Sequence, residues 1–170
     1  MKTEALRARQ APLKQKYRDD PDSALITLRA QGQLGENVTC RIETGRALVE
    51  AGLHRAAGGE GLLACSGDML LEALVACAGV TLGAVATALG IDIQDGVIRA
   101  EGDLDFRGTL AVEKEAPAGF RAIRLYVDLK TQASEEELDT LLRLTERYCV
   151  VYQTLRNGTE IGITHSVASP

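Results

Sequence analysis

Tryptophan is absent from the 170 residues, and aromatic residues make up only 4% of them. A stacking platform for single-stranded nucleic acid needs such rings, so that function is not expected. A basic excess is missing too. Lys and Arg number 19 against 24 Asp and Glu, a net charge of −5 at pH 7. Binding to a phosphate backbone draws on a basic surface, so no nucleic-acid partner is expected. There are two histidines, His54 and His165, and none of Cys40, Cys65, Cys77 and Cys149 forms a Cys-x-x-Cys pair. That leaves a structural zinc site short of ligands, and no metal is expected. Residues 1–20 mix Lys and Arg with acids and hold no apolar stretch of the secretory kind. A cytoplasmic chain with reduced thiols is the expectation.

What is present has the balance of an ordinary folded domain, 45% apolar and 25% charged. The length suits one domain with a sizeable core. Residues 1–23 read as a polar, partly helical arm in which Pro12 interrupts and Pro21 terminates. Residues 24–170 read as a single α+β domain.

Leu25 to Ala30 and Val38 to Thr44 carry strand-like composition, with turn residues Gly32-Gln33-Leu34-Gly35 between them. Arg46 to Glu50 reads as a third short strand, followed by a glycine-rich loop from Gly52 to Gly67. Met69 to Leu89 then predicts a long helix, capped by Ser66 or Asp68 and closed by Gly90. It is apolar nearly all round, which predicts a buried core helix. A membrane span is not expected. The segment is rich in Ala and Gly, contains Glu72, lacks basic flanks and is followed by amphipathic strands. Gly79 and Gly83 predict a close approach by another element. Glu72 predicts a paired carboxylate, because burying it alone is costly.

Strict alternation follows. Ile98, Ala100, Leu104 and Phe106 share one side of a strand, as do Ile123, Leu125, Val127 and Leu129 of the next. A period of two predicts antiparallel strands with one wet face. Ser134-Glu135-Glu136-Glu137 is a capping-box sequence that opens a helix striped by Leu138, Leu141, Leu142 and Thr145. A short helix from Cys149 to Leu155, a turn at Asn157-Gly158 and a closing strand from Glu160 to Val167 complete the reading. Strands and helices in this order define an α+β fold.

Two cysteine segments then resemble a known family. Ser66-Gly67-Asp68-Met69-Leu70-Leu71-Glu72-Ala73-Leu74-Val75-Ala76-Cys77 resembles the first cysteine helix of the OsmC and organic hydroperoxide resistance family. Cys149-Val150-Val151-Tyr152-Gln153-Thr154-Leu155 resembles its second cysteine motif, with Val150 where many relatives have Pro. The resemblance covers roughly residues 24–167 and places the chain in the broader OsmC-like branch. It implies antiparallel sheets wrapped around a buried central helix in an intertwined homodimer. It also implies a cysteine-based peroxidase for organic hydroperoxides, used in oxidative-stress defence. Cys77 would be the attacking thiol and Cys149 its resolving partner. An external dithiol would be the reductant, and no bound cofactor is implied. In the organic-hydroperoxide branch an Arg in the first hairpin turn and a nearby acid activate the thiol. The matching turn here holds Gln33, so Arg29 and Arg46 are the substitutes, with Asp68 as the acid. This departure keeps a second expectation open, a small-molecule-binding or redox-sensing protein without efficient turnover. On the bare residues, a Cys in an apolar helix is more often a small buried hydrophobe. Cys65, just before the main helix, is an outside candidate for exchange with Cys77. An oily pocket is expected beside the main helix and the Leu62-Leu63 loop.

Overall fold

A computed structural model describes residues 3, 4, 8, 11, 15, 19, 32–35, 39–44, 47–111 and 114–167. The expected strand from Leu25 to Ala30, the candidates Arg29 and Arg46, and most of the arm lie outside these residues. Of the arm, Thr3 donates its hydroxyl to the Thr87 carbonyl at 2.8 Å.

Three short strands, β1 (Gly32–Gly35), β2 (Thr39–Thr44) and β3 (Ala47–Gly52), form an antiparallel sheet in that order. Gly32-Gln33-Leu34-Gly35, expected as a turn, is therefore itself a strand, with Gln33 opposite Arg41 and Leu34 opposite Cys40. Its two glycines suggested a turn, but ladder pairing to β2 overrides local preference. The loop after β3 returns to it through the Gly52 amide, which donates to the Ala64 carbonyl at 3.0 Å. Within this loop His54 caps a single 3-10 turn, Arg55–Ala57, by accepting from the Ala56 amide. Its ring stacks on Phe106 at 5.0 Å.

Helix α1 spans Ser66–Leu89. It starts three residues before the expected Met69, so Ser66 and Asp68 lie inside its first turn. The N-cap is Cys65, whose side chain makes no capping bond. Gly90 ends the helix at φ 77°, where a Cβ would be strained, and its amide returns to the Ala86 and Thr87 carbonyls.

Strand β4 (Ile93–Leu104) and strand β5 (Phe120–Thr131) pair antiparallel, Ile98 opposite Val127 and Ala100 opposite Leu125. Phe106, expected on β4, instead begins a single helical turn, Phe106–Thr109. The inner face of β4 and β5 packs on α1. The outer face carries cross-strand ion pairs. Arg99 meets Asp128 at 2.7 Å, and Arg124 contacts both Glu101 and Asp103.

Helix α2 (Glu135–Tyr148) opens with the expected capping box. The Ser134 hydroxyl accepts from the Glu137 amide, and the Glu137 carboxylate accepts from the Ser134 amide. Leu141 is fully buried against Leu82 and Ala86 of α1, with Val127, Leu129 and Leu138 around them. Leu142, placed on the same stripe by the sequence, is 37% exposed. Helix α3 (Val150–Asn157) follows after one residue, Cys149.

The expected burial of α1 holds for one stripe only within this chain, Leu74, Ala78, Leu82 and Ala86. Its other side is open, with Val80 77% exposed, and Glu72 is exposed rather than paired in a core. A Cβ on Gly83 would meet nothing within 4 Å, and one on Gly79 only Ile98 at ordinary contact distance. Among the described residues no close approach requires either glycine. By length and composition α1 is apolar enough to cross a membrane, but its buried stripe packs against β4 and α2. Residues 160–167 form no regular element rather than the expected strand, with Ile161 and Ile163 85% and 92% exposed. The alternation suits a strand, but among the described residues no edge pairs with it.

Candidate active site: a thiol pair at a helix junction

Cys149 is where α2 ends and α3 begins. Its backbone is extended, φ −72° and ψ 109°. Its amide closes α2 by donating to the Thr145 carbonyl at 2.9 Å, and its carbonyl opens α3 by accepting from the Gln153 amide at 2.9 Å. The first amides of a helix have no partner inside it. The break at Cys149 therefore creates fresh unpaired donors on Val150, Val151 and Tyr152.

Helix α1 packs against both α2 and α3 and brings Cys77 to this junction. There the Cys77 and Cys149 thiols come near enough for each to shift the other's acidity. Cys149 is 1% exposed, whereas Cys77 is half-buried.

Their surroundings displace the two thiols in opposite directions. Burial pushes the Cys77 thiol up. The Val151 amide, the Cys149 thiol, the Val150 amide and the Thr81 hydroxyl act against it, and the balance falls below the ordinary thiol value. Burial also pushes Cys149 up. The Tyr152 and Val151 amides oppose this, but the contact with Cys77 adds to it, and Cys149 ends above the ordinary value. Cys77 is thus the more acidic of the two thiols, and Cys149 the less acidic.

The other candidates are placed differently. Asp68 is exposed and lies nine residues before Cys77 on α1, about 14 Å along the axis. It is not in the thiol cluster. Cys65 is half-buried at the N-cap, about 18 Å along the axis from Cys77. Two contributors were missed from the sequence, Thr81 and the α3 amides. The spacing of Thr81 was a legible signal, because residues i and i+4 share a helix face. The amide donors become visible only once the break at Cys149 is known.

A cleft of about 390 Å³ lies between α1, β5 and α3, lined by Leu74, Phe120, Ile123, Leu125, Tyr152 and Leu155. It shares Tyr152 with the thiol pair. Leu62 and Leu63, expected to line an oily pocket, instead point outward, 79% and 40% exposed. Arg121 and Arg156 border the cleft, and each is ion-paired, to Asp105 at 3.7 Å and to Glu146 at 3.6 Å.

The chain is thus an antiparallel α+β protein that brings two free cysteines together at a helix junction. Residues 59–164, more than half of the sequence, match the OsmC-like protein family, and the chain belongs to that family. No curated protein matches the chain. Among solved structures it is similar to an OsmC-like protein of Mycoplasma pneumoniae, with a TM-score of 0.66 at 17% identity, covering 78% of this chain and 89% of that one. An organic hydroperoxide resistance protein of Legionella pneumophila gives 0.61 at 20% identity, over 78% and 90%. The organic hydroperoxide resistance protein OhrB of Bacillus subtilis gives 0.57 at 19% identity, over 78% and 93%. These likenesses establish the shared fold.

Proposed function

We propose that this chain is a cytoplasmic, homodimeric cysteine peroxidase that reduces organic hydroperoxides at the expense of an external dithiol. The observation that carries this reading is the contact between Cys77 and Cys149 with their acidities displaced in opposite directions. Family membership and the hydroperoxide-resistance neighbours support it.

In the proposed reaction the Cys77 thiolate attacks the outer oxygen of the hydroperoxide. An S–O bond forms, the O–O bond breaks, and the alkoxide leaves to take up a proton as the alcohol. Sulfur is oxidised by two electrons to the sulfenic acid. The Cys149 sulfur, losing its proton, then attacks the Cys77 sulfur. An S–S bond forms, the S–O bond breaks, and hydroxide leaves and is protonated to water. A dithiol restores both thiols by exchange and is itself oxidised to a disulfide. The apolar cleft beside Tyr152 suits the organic portion of such a peroxide.

The open face of α1 and the unpaired apolar residues Ile161, Ile163 and Val167 support pairing with a second copy. The position of Asp68, outside the thiol cluster, favours a second reading, a redox-sensing protein that oxidises once without turnover.

Peroxide titration of the reduced protein tests both. Disulfides are mapped by mass spectrometry, with Cys77→Ser and Cys149→Ser as controls. The peroxidase reading expects loss of two thiols into a Cys77–Cys149 link, faster with an organic hydroperoxide than with hydrogen peroxide, and repeated turnover with dithiol. One round of oxidation without turnover selects the sensing reading. A Cys77 that stays reduced overturns both.

A further inference from the structure

We propose that Tyr152, held in place by Arg156, is the specificity-determining wall of the cleft between α1, β5 and α3, and that the ligand it selects carries an aromatic ring. The inference rests on the peroxidase reading, from which it takes this cleft as the seat of the organic portion, and it names the chemical class seated there.

The chain holds two Phe, four Tyr and no Trp. Two of these rings line this one cleft, Phe120 from β5 and Tyr152 from α3. The two arginines at its border, Arg121 and Arg156, each already meet a carboxylate that is not part of the lining. Recognition therefore falls to apolar contact and to the rings. An aromatic ligand adds offset or edge-to-face contacts with such rings, which a saturated ligand of the same size cannot make. The cleft also lies beside the thiol pair. Leu74 of its lining is three residues before Cys77 on α1, so the two share a helix face, and Tyr152 is in the first turn of α3 after Cys149.

Tyr152 is held from its own helix. The Arg156 guanidinium donates from Nη1 to the phenol oxygen at 3.3 Å and lies 5.9 Å from the ring centre. Residues four apart on a helix share a face, which makes this pairing a property of α3. Arg156 is in turn tied across the helix break to the Glu146 carboxylate of α2, at 3.6 Å. Gln153 fastens the same point, its Nε2 donating to the Glu146 carbonyl at 2.8 Å. The relay from Glu146 through Arg156 to Tyr152 restrains a ring that lines the cleft. Arg156 is therefore a positioning residue, acting through Tyr152. One exposed hydrogen bond has a modest effect, so a modest change is expected on its loss.

The test titrates the full-length reduced protein with 2-phenyl-2-propanol and with 2-cyclohexyl-2-propanol, followed by amide chemical shifts of the cleft residues. A cleft that read apolarity alone would favour the cyclohexyl alcohol, the less polar of the two. The phenyl alcohol is expected to bind about two- to tenfold more tightly. Circular dichroism checks that each variant folds. Tyr152→Leu should lose most of this preference and Arg156→Met about half of it, while Arg156→Lys, which keeps a donor, retains it. Tyr152→Phe lacks the phenol oxygen and should match Arg156→Met, and the double variant should fall no further. Equal binding, tighter cyclohexyl binding or no binding by the wild type overturns the proposal, as does a preference that survives Tyr152→Leu. A double variant that falls further than either single one overturns the positioning role of Arg156. Neither alcohol is an oxidant, so turnover of cumene hydroperoxide with dithiol is followed separately. Phenyl preference without turnover supports the proposal while the peroxidase reading fails, and turnover without the preference does the reverse.

Discussion

Leu141→Ala is the substitution whose cost follows most directly from the packing. Leu141 is 0% exposed and sits against Leu82 and Ala86, with the inner faces of β4 and β5 beyond. Truncating such a leucine loses the transfer free energy of the removed carbons and leaves a cavity. Measured losses run about 2–5 kcal/mol. The neighbours here come from α1, α2 and both strands, so the site has little freedom to collapse. A loss of about 3–4 kcal/mol, clear of the floor of that range, is the expectation. For a domain of this size each kcal/mol lowers the Tm by about 2–4 °C, giving a fall of about 6–16 °C. Leu142→Ala is the internal control. It removes the same atoms from the next position of the same helix, where the side chain is 37% exposed. Its expected cost is below about 1.5 kcal/mol, a few degrees at most. Thermal unfolding followed by circular dichroism measures both at equal protein concentration. Equal shifts for the two variants would refute the packing argument, and so would a Leu141→Ala fall of less than about 4 °C.

Further outcomes follow from the site and its frame. Burial pushes Cys77 up, but its donors more than offset this, so its alkylation rate should level off at lower pH than that of free cysteine. Burial and the Cys77 contact raise Cys149, so its rate should level off at higher pH, as peptide-resolved alkylation would show. The Ser134 amide and hydroxyl hold the Glu137 carboxyl below its ordinary value. The stability from this box is present above the unfolded carboxylate range and is lost as pH falls through the lowered value. Ser134→Ala should reduce the Tm by about 2–4 °C at pH 7, and the gap to wild type should narrow without closing at strongly acid pH, because the bond from the Glu137 amide to the Ser134 hydroxyl does not titrate. Gly102→Ala places a Cβ against the Phe120 ring, which lines the cleft. Peroxidase kinetics should show a higher KM for bulky hydroperoxides than for small ones, since the displaced ring narrows the cleft. Arg124→Ala breaks ion pairs that are exposed on the outer face, and calorimetry should find the Tm within about 2 °C of wild type.

What the sequence disclosed depended on how local each signal was. The alternation of Ile98 and Ala100 with Arg99 and Glu101, and that of Ile123 to Leu129, fixed the sidedness of β4 and β5 because the period of two is a property of the strand itself. The capping box at Ser134 was legible for the same reason, since its partners are three residues apart. Gly32 to Gly35 misled because a strand's existence depends on its partner, and β2 is that partner. Leu142 was assigned to the core because a stripe of leucines has width. Which edge of it is covered is decided by α1, not by α2. Residues 159–167 alternate as a strand would, but alternation supplies no neighbour to pair with. Within the site, resemblance to known cysteine motifs pointed to Cys77 and Cys149, and the packing of α1 on α2 and α3 brings those two residues to one junction. The α3 amides were invisible because they are backbone groups freed by a dihedral choice at one residue.

That dihedral choice explains why the two cysteines differ. Were Cys149 helical, α2 and α3 would run as one helix, and the Val150, Val151 and Tyr152 amides would be consumed by carbonyls four residues earlier. An extended Cys149 leaves them free while keeping both flanking ladders intact, through its own amide to Thr145 and its carbonyl from Gln153. The same break turns the Cys149 side chain inward at 1% exposure, where burial favours the protonated thiol. Cys77 reaches the freed amides from α1 and carries its own hydroxyl donor one turn along. One backbone break thus raises the acidity of the sulfur on the opposite helix, while burial lowers that of the sulfur at the break. The proposed two-step thiol reaction draws on this division, with the more acidic sulfur attacking first and the less acidic one second.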